Sequence, residues 1–140
     1  MILLDTNVIS ALMRESPDPE VIRWLDRQPR SSIWTTSISV FENRFGLQLL
    51  PAGKRQSKMM ALFERVLIDT IQGRVAPFDS TAAQYAADLA AARQKKGRPR
   101  DPRDTMIAGI VLASHAKLAT RNIKHFEDIA SSVVNPWDQG

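Results

Sequence analysis

Short apolar segments alternate along this chain with longer stretches of helical character, and this alternation constrains the fold more than any other feature. The predicted strands are 2–4, 31–37, 73–78, 117–120 and 132–135. The predicted helices are 6–13, 16–29, 39–50, 54–71, 79–96 and 101–117. Strands separated by helices favour parallel crossovers, so we predict an α/β fold whose central parallel sheet is covered on both faces.

The chain has 140 residues and no linker that could divide it, so we expect a single domain over 1–140. No apolar run approaches the roughly 20 residues that cross a bilayer, and no signal peptide is visible. The absence of cysteine rules out disulfides and thiolate metal sites and is typical of a reducing compartment. We therefore expect a cytoplasmic protein.

Positive charge is concentrated in one segment of the chain. The formal net charge is +4, and residues 93–103 carry six basic side chains and a single acid. Excess positive charge favours polyanionic partners, nucleic acid first. Candidate phosphate-binding residues in this segment are Lys95, Lys96, Arg98, Arg100 and Arg103. The same residues are also compatible with a solvated helix end and the loop that follows it.

Three acids occupy comparable places in the predicted topology. Asp5 follows the first strand, Glu42 lies near the start of the helix after the second, and Asp104 lies near the start of the helix before the fourth. Thr120 and Asn122 come directly at the end of that fourth strand. Because functional crevices of such sheets lie at the carboxyl ends of the strands, we expect these residues to share one crevice.

Each acid also has a purely structural interpretation. Asp5 could cap the next helix by accepting the amide of Asn7 or Val8. Ser39 and Glu42 fit the spacing of a capping box. Asp104 stands close to a helix start that Asp101 and Pro102 already favour. Any one of these acids, taken alone, is better explained by capping than by catalysis.

Taken together, the acids predict a metal site. Carboxylates gathered in one crevice repel one another unless a cation is present, and hard oxygen ligands suit Mg²⁺ or Mn²⁺. His115 and His125 lack partners at metal-ligand spacing, which argues against zinc; we expect His115 to be an ordinary helix residue and His125 a loop residue. A metal pocket in a basic protein fits phosphodiester hydrolysis, in which the ion activates water.

These motifs resemble those of a known family. The stretches LLDTNVIS at the start, ISVFENRFGL near residue 40, RDTMIAGIVLASHAKLATRN from residue 103 and NPW near residue 137 are similar to PIN-domain ribonucleases. More closely, the chain resembles the VapC toxins of type II toxin–antitoxin systems and, among them, the FitB-like subgroup. The resemblance covers nearly the whole chain.

The resemblance implies a Rossmann-like, three-layer α/β/α PIN domain that cleaves RNA with Mg²⁺, or Mn²⁺ as a substitute, leaving a 5′-phosphate. Asp5, Glu42 and Asp104 match the three core acids of the family as catalytic and metal-binding residues. Thr6 matches a hydroxyl residue beside the first acid, and Thr6 and Thr120 would fix the geometry of the ligands. The family's fourth acidic position falls on Asn122, whose amide oxygen can ligate a cation without contributing charge.

The same resemblance implies partners. VapC toxins are usually homodimers that form larger assemblies with a small antitoxin, and transfer RNA is a plausible substrate. We expect the helical pair 41–50 and 54–71, with its methionines and leucines, to form the partner surface. Ordinary packing of these helices on the sheet is the alternative.

Two other functions remain open at this point. One is a non-catalytic PIN-fold module that binds nucleic acid or protein. The other is a phosphotransfer domain, although a phosphatase of that class needs a second aspartate where Asn7 stands, and a strand starting at Ile2 leaves no room for the acids of a receiver. We rank the nuclease above both.

Overall fold

The structure is a computed structural model and describes residues 1–139. Five strands form one sheet in the order β3-β2-β1-β4-β5, and all neighbouring strands are parallel. The strands are β1 (Ile2–Leu4), β2 (Ile33–Thr36), β3 (Val75–Ala76), β4 (Lys117–Ala119) and β5 (Val133–Val134). The predicted parallel sheet is confirmed, with each strand where the apolar segments indicated and most of them shorter.

Six α-helices connect the strands. They are α1 (Thr6–Leu12), α2 (Pro19–Asp26), α3 (Ser37–Gln48), α4 (Lys54–Arg65), α5 (Ser80–Lys95) and α6 (Pro102–Ser114). Helix α4 continues as a π-helical turn over Val66–Ile71, and the 3₁₀ segments are Arg30–Ser32 and Ile123–Ser132. The last of these was not predicted, yet it buries Phe126 and Ile129. Among residues 1–139, no helix is both long enough and apolar enough to cross a membrane.

Helix starts follow from capping side chains, as sequence analysis expected for Asp101 at the start of α6. Asp18, Asp79 and Asp101 each accept a backbone amide at the N-terminus of their helix. The predicted start of α3 was wrong, because Thr36 rather than Ser39 is the N-cap and its hydroxyl accepts the amide of Ser39 at 3.0 Å. The capping-box interpretation of Glu42 is therefore also wrong.

The sheet has an apolar core on each face. Leu4 and Ala119 belong to a cluster that includes residues of α1, α2 and the α4 region. Leu3 and Leu118, which point to the opposite face, belong to a second cluster with residues of α6. Consecutive strand residues point to opposite faces, so two cores mean that helices cover both sides. The three-layer α/β/α architecture is confirmed.

Helices α5 and α6 pack closely against each other at Gly109. A Cβ atom at this position would lie 2.5 Å from the carbonyl oxygen of Ala82 and 2.7 Å from Cβ of Ala86. The alanine-rich sequence of α5 and this glycine therefore allow the two helices to approach closely. Close packing fixes α6, whose first turn carries Asp104.

Buried Arg93 joins α5 to the segment beyond β4. Its guanidinium bonds both carboxylate oxygens of Asp128 at 2.8 Å and donates to the hydroxyl of Thr105 at 2.8 Å. The side chain is only 5% exposed. Sequence analysis placed Arg93 within the basic segment, but its charge is used internally.

Candidate active site

The carboxyl ends of β1, β2 and β4 lie side by side. Leu4 pairs in register with Thr35 on one side and with Ala119 on the other. Asp5 and Thr120, which follow β1 and β4, and Thr36, which ends β2, therefore lie at the same edge of the sheet. The parallel topology, rather than closeness in sequence, brings these residues together.

A cleft of about 420 Å³ opens at this edge. Asp5, Glu42, Asp104 and Asn122 all line it, as does Thr6. Sequence analysis predicted that the three acids share one crevice with Thr120 and Asn122, and the structure brings the acids and Asn122 to the same cleft. Thr120 lies directly beneath, completely buried.

Asp5 serves as a helix cap and also faces the cleft. Its Oδ1 accepts the backbone amide of Thr6 at 2.8 Å, whereas we expected the amide of Asn7 or Val8. Its Oδ2 accepts the hydroxyl of Thr120 at 2.7 Å and lies 3.4 Å from the side-chain amide of Asn7. One side chain thus caps α1 through one oxygen and accepts the hydroxyl of Thr120 through the other, while the residue lines the cleft.

Burial changes the acidity of Asp5. The side chain is 4% exposed, and this burial raises the pKa of its carboxyl to about 6. The hydrogen bonds from Thr120 and Thr6 oppose the increase in pKa, whereas the nearby charges of Asp104 and Glu42 add to it. A buried carboxylate next to two others is destabilised unless positive charge is supplied.

Glu42 is held by a threonine and an arginine. The hydroxyl of Thr6 donates to Glu42 Oε1 at 2.7 Å and lies 3.1 Å from Ser39 Oγ. Arg103 Nε lies 3.6 Å from Glu42 Oε2 and 3.4 Å from Asp101 Oδ1. Among the predicted basic residues, Arg103 therefore pairs with an acid of the cleft itself.

Asp104 contacts a histidine that sequence analysis did not connect with the site. His125 Nδ1 lies 3.0 Å from Asp104 Oδ2. Burial raises the pKa of the Asp104 carboxyl, and the contact with His125 partly offsets this increase. His125 does lie outside the α-helices, as expected, but its spacing in the sequence did not reveal its contact with Asp104. His115 ends α6 instead of lying within it, with φ +52°.

Each acid is bonded within the chain in this arrangement. Among residues 1–139, no three His, Cys, Asp or Glu side chains are grouped closely enough to enclose a metal ion as they stand. The available donors are nevertheless carboxylate and amide oxygens, the hard ligands that Mg²⁺ and Mn²⁺ prefer. The chemistry of the donor set therefore fits a hard divalent cation.

The remaining predicted basic residues lie beside the cleft. Lys96, Arg98 and Arg100 line a groove of about 460 Å³ together with His125. Lys95 lies exposed in the last turn of α5. The groove and the cleft meet at His125, which contacts Asp104 from the groove side.

Three further residues of the cleft were missed as site residues. Arg14, Arg121 and Trp137 line it together with the acids. The sequence placed Arg121 between Thr120 and Asn122, and it placed Trp137 in the NPW motif. Neither local pattern indicates that a residue near the end of the chain returns to the cleft.

Comparison with known proteins agrees with this geometry. The family model described as the PIN domain matches residues 2–131. The chain is 38% identical over 138 residues to VapC ribonuclease Y4jK of Sinorhizobium fredii, covering 99% of each chain. It is 33% identical to toxin FitB of Neisseria gonorrhoeae, covering 98% of this chain and 99% of that protein.

A solved structure gives the same result at the level of fold. The structure of FitAB bound to an IR36 DNA fragment matches with a TM-score of 0.87 and 32% identity, covering 100% of this chain and 98% of that one. The chain therefore belongs to the PIN-domain family. Within that family it is one of the VapC-type ribonuclease toxins, and it is similar to FitB in sequence and in fold, as its motifs indicated.

Proposed function

We propose that this chain is a divalent-metal-dependent endoribonuclease that acts in the cytoplasm as the toxin of a type II toxin–antitoxin pair, with the single PIN domain 1–140 as its functional unit. The observation that carries the proposal is the shared cleft of Asp5, Glu42 and Asp104 at the carboxyl edge of the sheet. The relatives named ribonuclease and toxin favour this function over a non-catalytic binding module. Mg²⁺, with Mn²⁺ as a substitute, is the cation that the oxygen donors favour.

The residue roles follow from the contacts. Asp5, Glu42 and Asp104 would hold the cation, and the amide oxygen of Asn122 would add a neutral ligand. When bound, such an ion lowers the pKa of a water nucleophile and offsets charge that develops on the scissile phosphate. Thr120 fixes Asp5 from beneath through its 2.7 Å hydrogen bond.

Thr6 has the corresponding role for Glu42. Its hydroxyl donates to Oε1 at 2.7 Å and so sets the orientation of that carboxylate. Hydrogen-bonded neighbours of metal ligands typically contribute about 10- to 100-fold to metal affinity or activity. We infer that Thr6 and Thr120 contribute to activity through the ligands, without touching the substrate.

Basic residues next to the acids would hold the substrate. Lys96, Arg98 and Arg100 share a groove that meets the cleft at His125, and Lys95 lies exposed nearby. Arg103 lies between the two through its contact with Glu42. We propose that these side chains bind phosphates of an RNA strand, possible substrates including transfer RNA.

Incubation of purified protein with total cellular RNA tests the activity. We expect discrete fragments in Mg²⁺ or Mn²⁺ and none in EDTA. D5N and D104N should each reduce the cleavage rate at least about 100-fold, because each removes a charged ligand. D88N is the matched control, because Asp88 is an exposed acid on α5. This variant should cleave RNA at the wild-type rate.

The outcomes separate the residue roles from the function. Wild-type rates for D5N and D104N would refute the assigned ligands. Failure of the wild-type protein to cleave RNA with either metal, together with no metal binding in calorimetry, would refute the nuclease and favour the binding module.

An exposed apolar stripe supports the proposal of a protein partner. Phe41 and Phe45 on α3 and Leu49 at its C-cap recur every four residues and are 56%, 48% and 69% exposed. The rings of Phe41 and Phe45 stack with centroids 5.9 Å apart. Met59 and Met60, which we expected to be exposed in the same region, pack partly buried against the core. We propose that this stripe, residues 41, 45 and 49, contacts the antitoxin in an assembly of toxin homodimers.

A further inference from the structure

The cleft has a basic side that the proposed metal chemistry does not use. Arg14 and Arg121 line the same cleft as the three acids, and Trp137 closes one end of their group. Both arginines are exposed to solvent. Neither arginine contacts an acid of the cleft, so neutralising the acids does not account for these two positive charges.

Arg121 is fixed relative to Asp5 through its backbone. Its amide donates to Oδ1 of Asn7 at 3.1 Å, and the side-chain amide of Asn7 lies 3.4 Å from Asp5 Oδ2. The same Asn7 nitrogen lies 3.2 Å from the hydroxyl of Thr120. The backbone of Arg121 is therefore tied to the group of bonds that holds the first acid.

The side chain of Arg121 is fixed by Trp137. Its guanidinium carbon lies 4.7 Å from the centre of the indole ring, a cation–π contact. The ring is itself anchored, because Trp137 Nε1 donates to Asp18 Oδ2 at 3.1 Å and its backbone amide donates to Asn135 Oδ1 at 2.9 Å. Asp18 is the N-cap of α2, so the indole ring of Trp137 is attached to the start of that helix.

The charges of both arginines are available to a ligand. Within residues 1–139, neither Arg14 nor Arg121 has a carboxylate oxygen within 4 Å or donates a side-chain hydrogen bond. Arg93 and Arg103 differ, since each is paired with an acid. Stacking uses only the face of a guanidinium and leaves its in-plane N–H donors free to bind a planar or tetrahedral oxyanion.

We propose that Arg121, with Arg14, binds a backbone phosphate of the RNA strand next to the scissile bond, and that Trp137 is a positioning residue for the Arg121 guanidinium. This inference rests on the proposed ribonuclease function and extends it to the substrate contacts of the same cleft. A phosphate is favoured over a stacked base because the guanidinium already covers one face of the indole ring.

Binding of a short, fluorescently labelled single-stranded RNA, measured by anisotropy in EDTA, tests the proposal without hydrolysis. R121A should weaken binding about tenfold, the cost of one charge-assisted hydrogen-bonded contact. The slope of log K against log salt should become shallower by about 0.7, because one phosphate contact of a single strand is lost. R121K should keep the wild-type slope but bind RNA with lower affinity. Lysine keeps the positive charge but lacks the planar guanidinium that offers several in-plane donors and stacks on the ring of Trp137.

W137A tests the positioning role. It should weaken RNA binding less than R121A, and combining the two substitutions should cost little more than R121A alone, because the ring acts through the guanidinium. R55A is the matched control, an exposed arginine on α4 that should change affinity less than twofold. Thermal unfolding of each variant checks that the fold is retained.

The results distinguish this proposal from the function on which it rests. If the wild-type protein cleaves RNA but R121A and R55A bind RNA equally well, the phosphate site is refuted and the nuclease is retained. If R121A weakens binding of an acidic peptide by the same factor as binding of RNA, the site recognises a protein carboxylate and the RNA assignment is refuted. If the wild-type protein cleaves no RNA yet R121A selectively loses RNA binding, the phosphate site is supported and the nuclease is refuted.

Discussion

Asp5 carries an electrostatic cost that follows from its position. Burial holds the pKa of its carboxyl near 6 in the folded protein, against 3.8 as the ordinary value. The folded state therefore binds this proton more tightly than the unfolded state does. As pH rises through this window the free energy of unfolding falls, by up to about 3 kcal/mol for a two-unit difference.

We predict that D5N stabilises the metal-free protein at high pH. An asparagine carries no charge, so the variant avoids the loss that wild type suffers as pH rises from about 4 to about 6. In urea unfolding at pH 8 we expect D5N to gain about 1 to 3 kcal/mol, with the gain smaller by about 1 kcal/mol at pH 5.

The control D88N keeps Asp5, so its stability should follow that of wild type at both pH values. Mg²⁺ should raise the unfolding temperature of wild type but not of D5N, since only wild type retains the ligand. If D5N is less stable than wild type at pH 8, burial of the charged Asp5 carboxylate does not carry the cost assigned to it.

At the level of elements, the contact between α5 and α6 determines where Asp104 lies. Gly109 permits the close approach, and an added methyl group would lie 2.5 Å from a backbone oxygen that cannot easily move. We predict that G109A destabilises the protein by about 1 to 3 kcal/mol, the usual cost of overpacking a core.

G46A is the matched control, because Gly46 lies within α3 and a Cβ there meets no atom within 4 Å. Alanine is the better helix former, so G46A should stabilise the protein by about 0.5 to 1 kcal/mol. Chemical denaturation of both variants provides the measurement. Equal effects of the two substitutions would show that the close packing of α5 and α6 has no energetic consequence.

Elements were predictable where a local cause defines them. Asp18, Asp79 and Asp101 cap their helices as their sequence contexts indicated, and Leu3 with Leu4 reads as a strand buried on both faces. The segment Ile123–Ser132 was missed because its two non-helical residues, Phe126 and Ile129, interrupt any regular period. Most predicted strand ends also ran too far; β2, for example, is bounded by the 3₁₀ segment Arg30–Ser32 and by α3, which begins at Ser37.

The candidate site was predictable for a topological reason. Residues that follow parallel strands meet at one edge, so Asp5, Glu42, Asp104 and Asn122 could be grouped from order alone. The contact of His125 with Asp104 and the return of Trp137 to the cleft could not, because both depend on how irregular segments after β4 fold back. Sequence analysis counted Arg93 in the basic segment but could not show that Arg93 is buried and pairs with Asp128, which lies 35 positions later in the chain.

At the scale of the whole molecule, the stripe of Phe41, Phe45 and Leu49 leaves apolar surface exposed that a partner should cover. We predict that the double substitution F45E/L49E weakens co-purification of the neighbouring antitoxin at least tenfold, because each change places a charge in an apolar interface. RNA cleavage should be unchanged.

The control I68E changes an apolar residue that is 67% exposed and lies outside the stripe. It should leave the complex intact in co-expression and size-exclusion chromatography with light scattering. If F45E/L49E instead yields a monomer that still retains antitoxin, the stripe belongs to the contact between toxin copies and the predicted role is wrong.

The arrangement of the sheet also determines when during synthesis the protein can become harmful. Strand β1 leaves the ribosome first, yet it lies at the centre of the sheet, and its neighbour β4 begins only at Lys117. The third acid and Asn122 likewise come late in the chain. A ribosome must therefore translate past residue 122 before the cleft can assemble, so we expect incomplete nascent chains to leave the RNA around them intact.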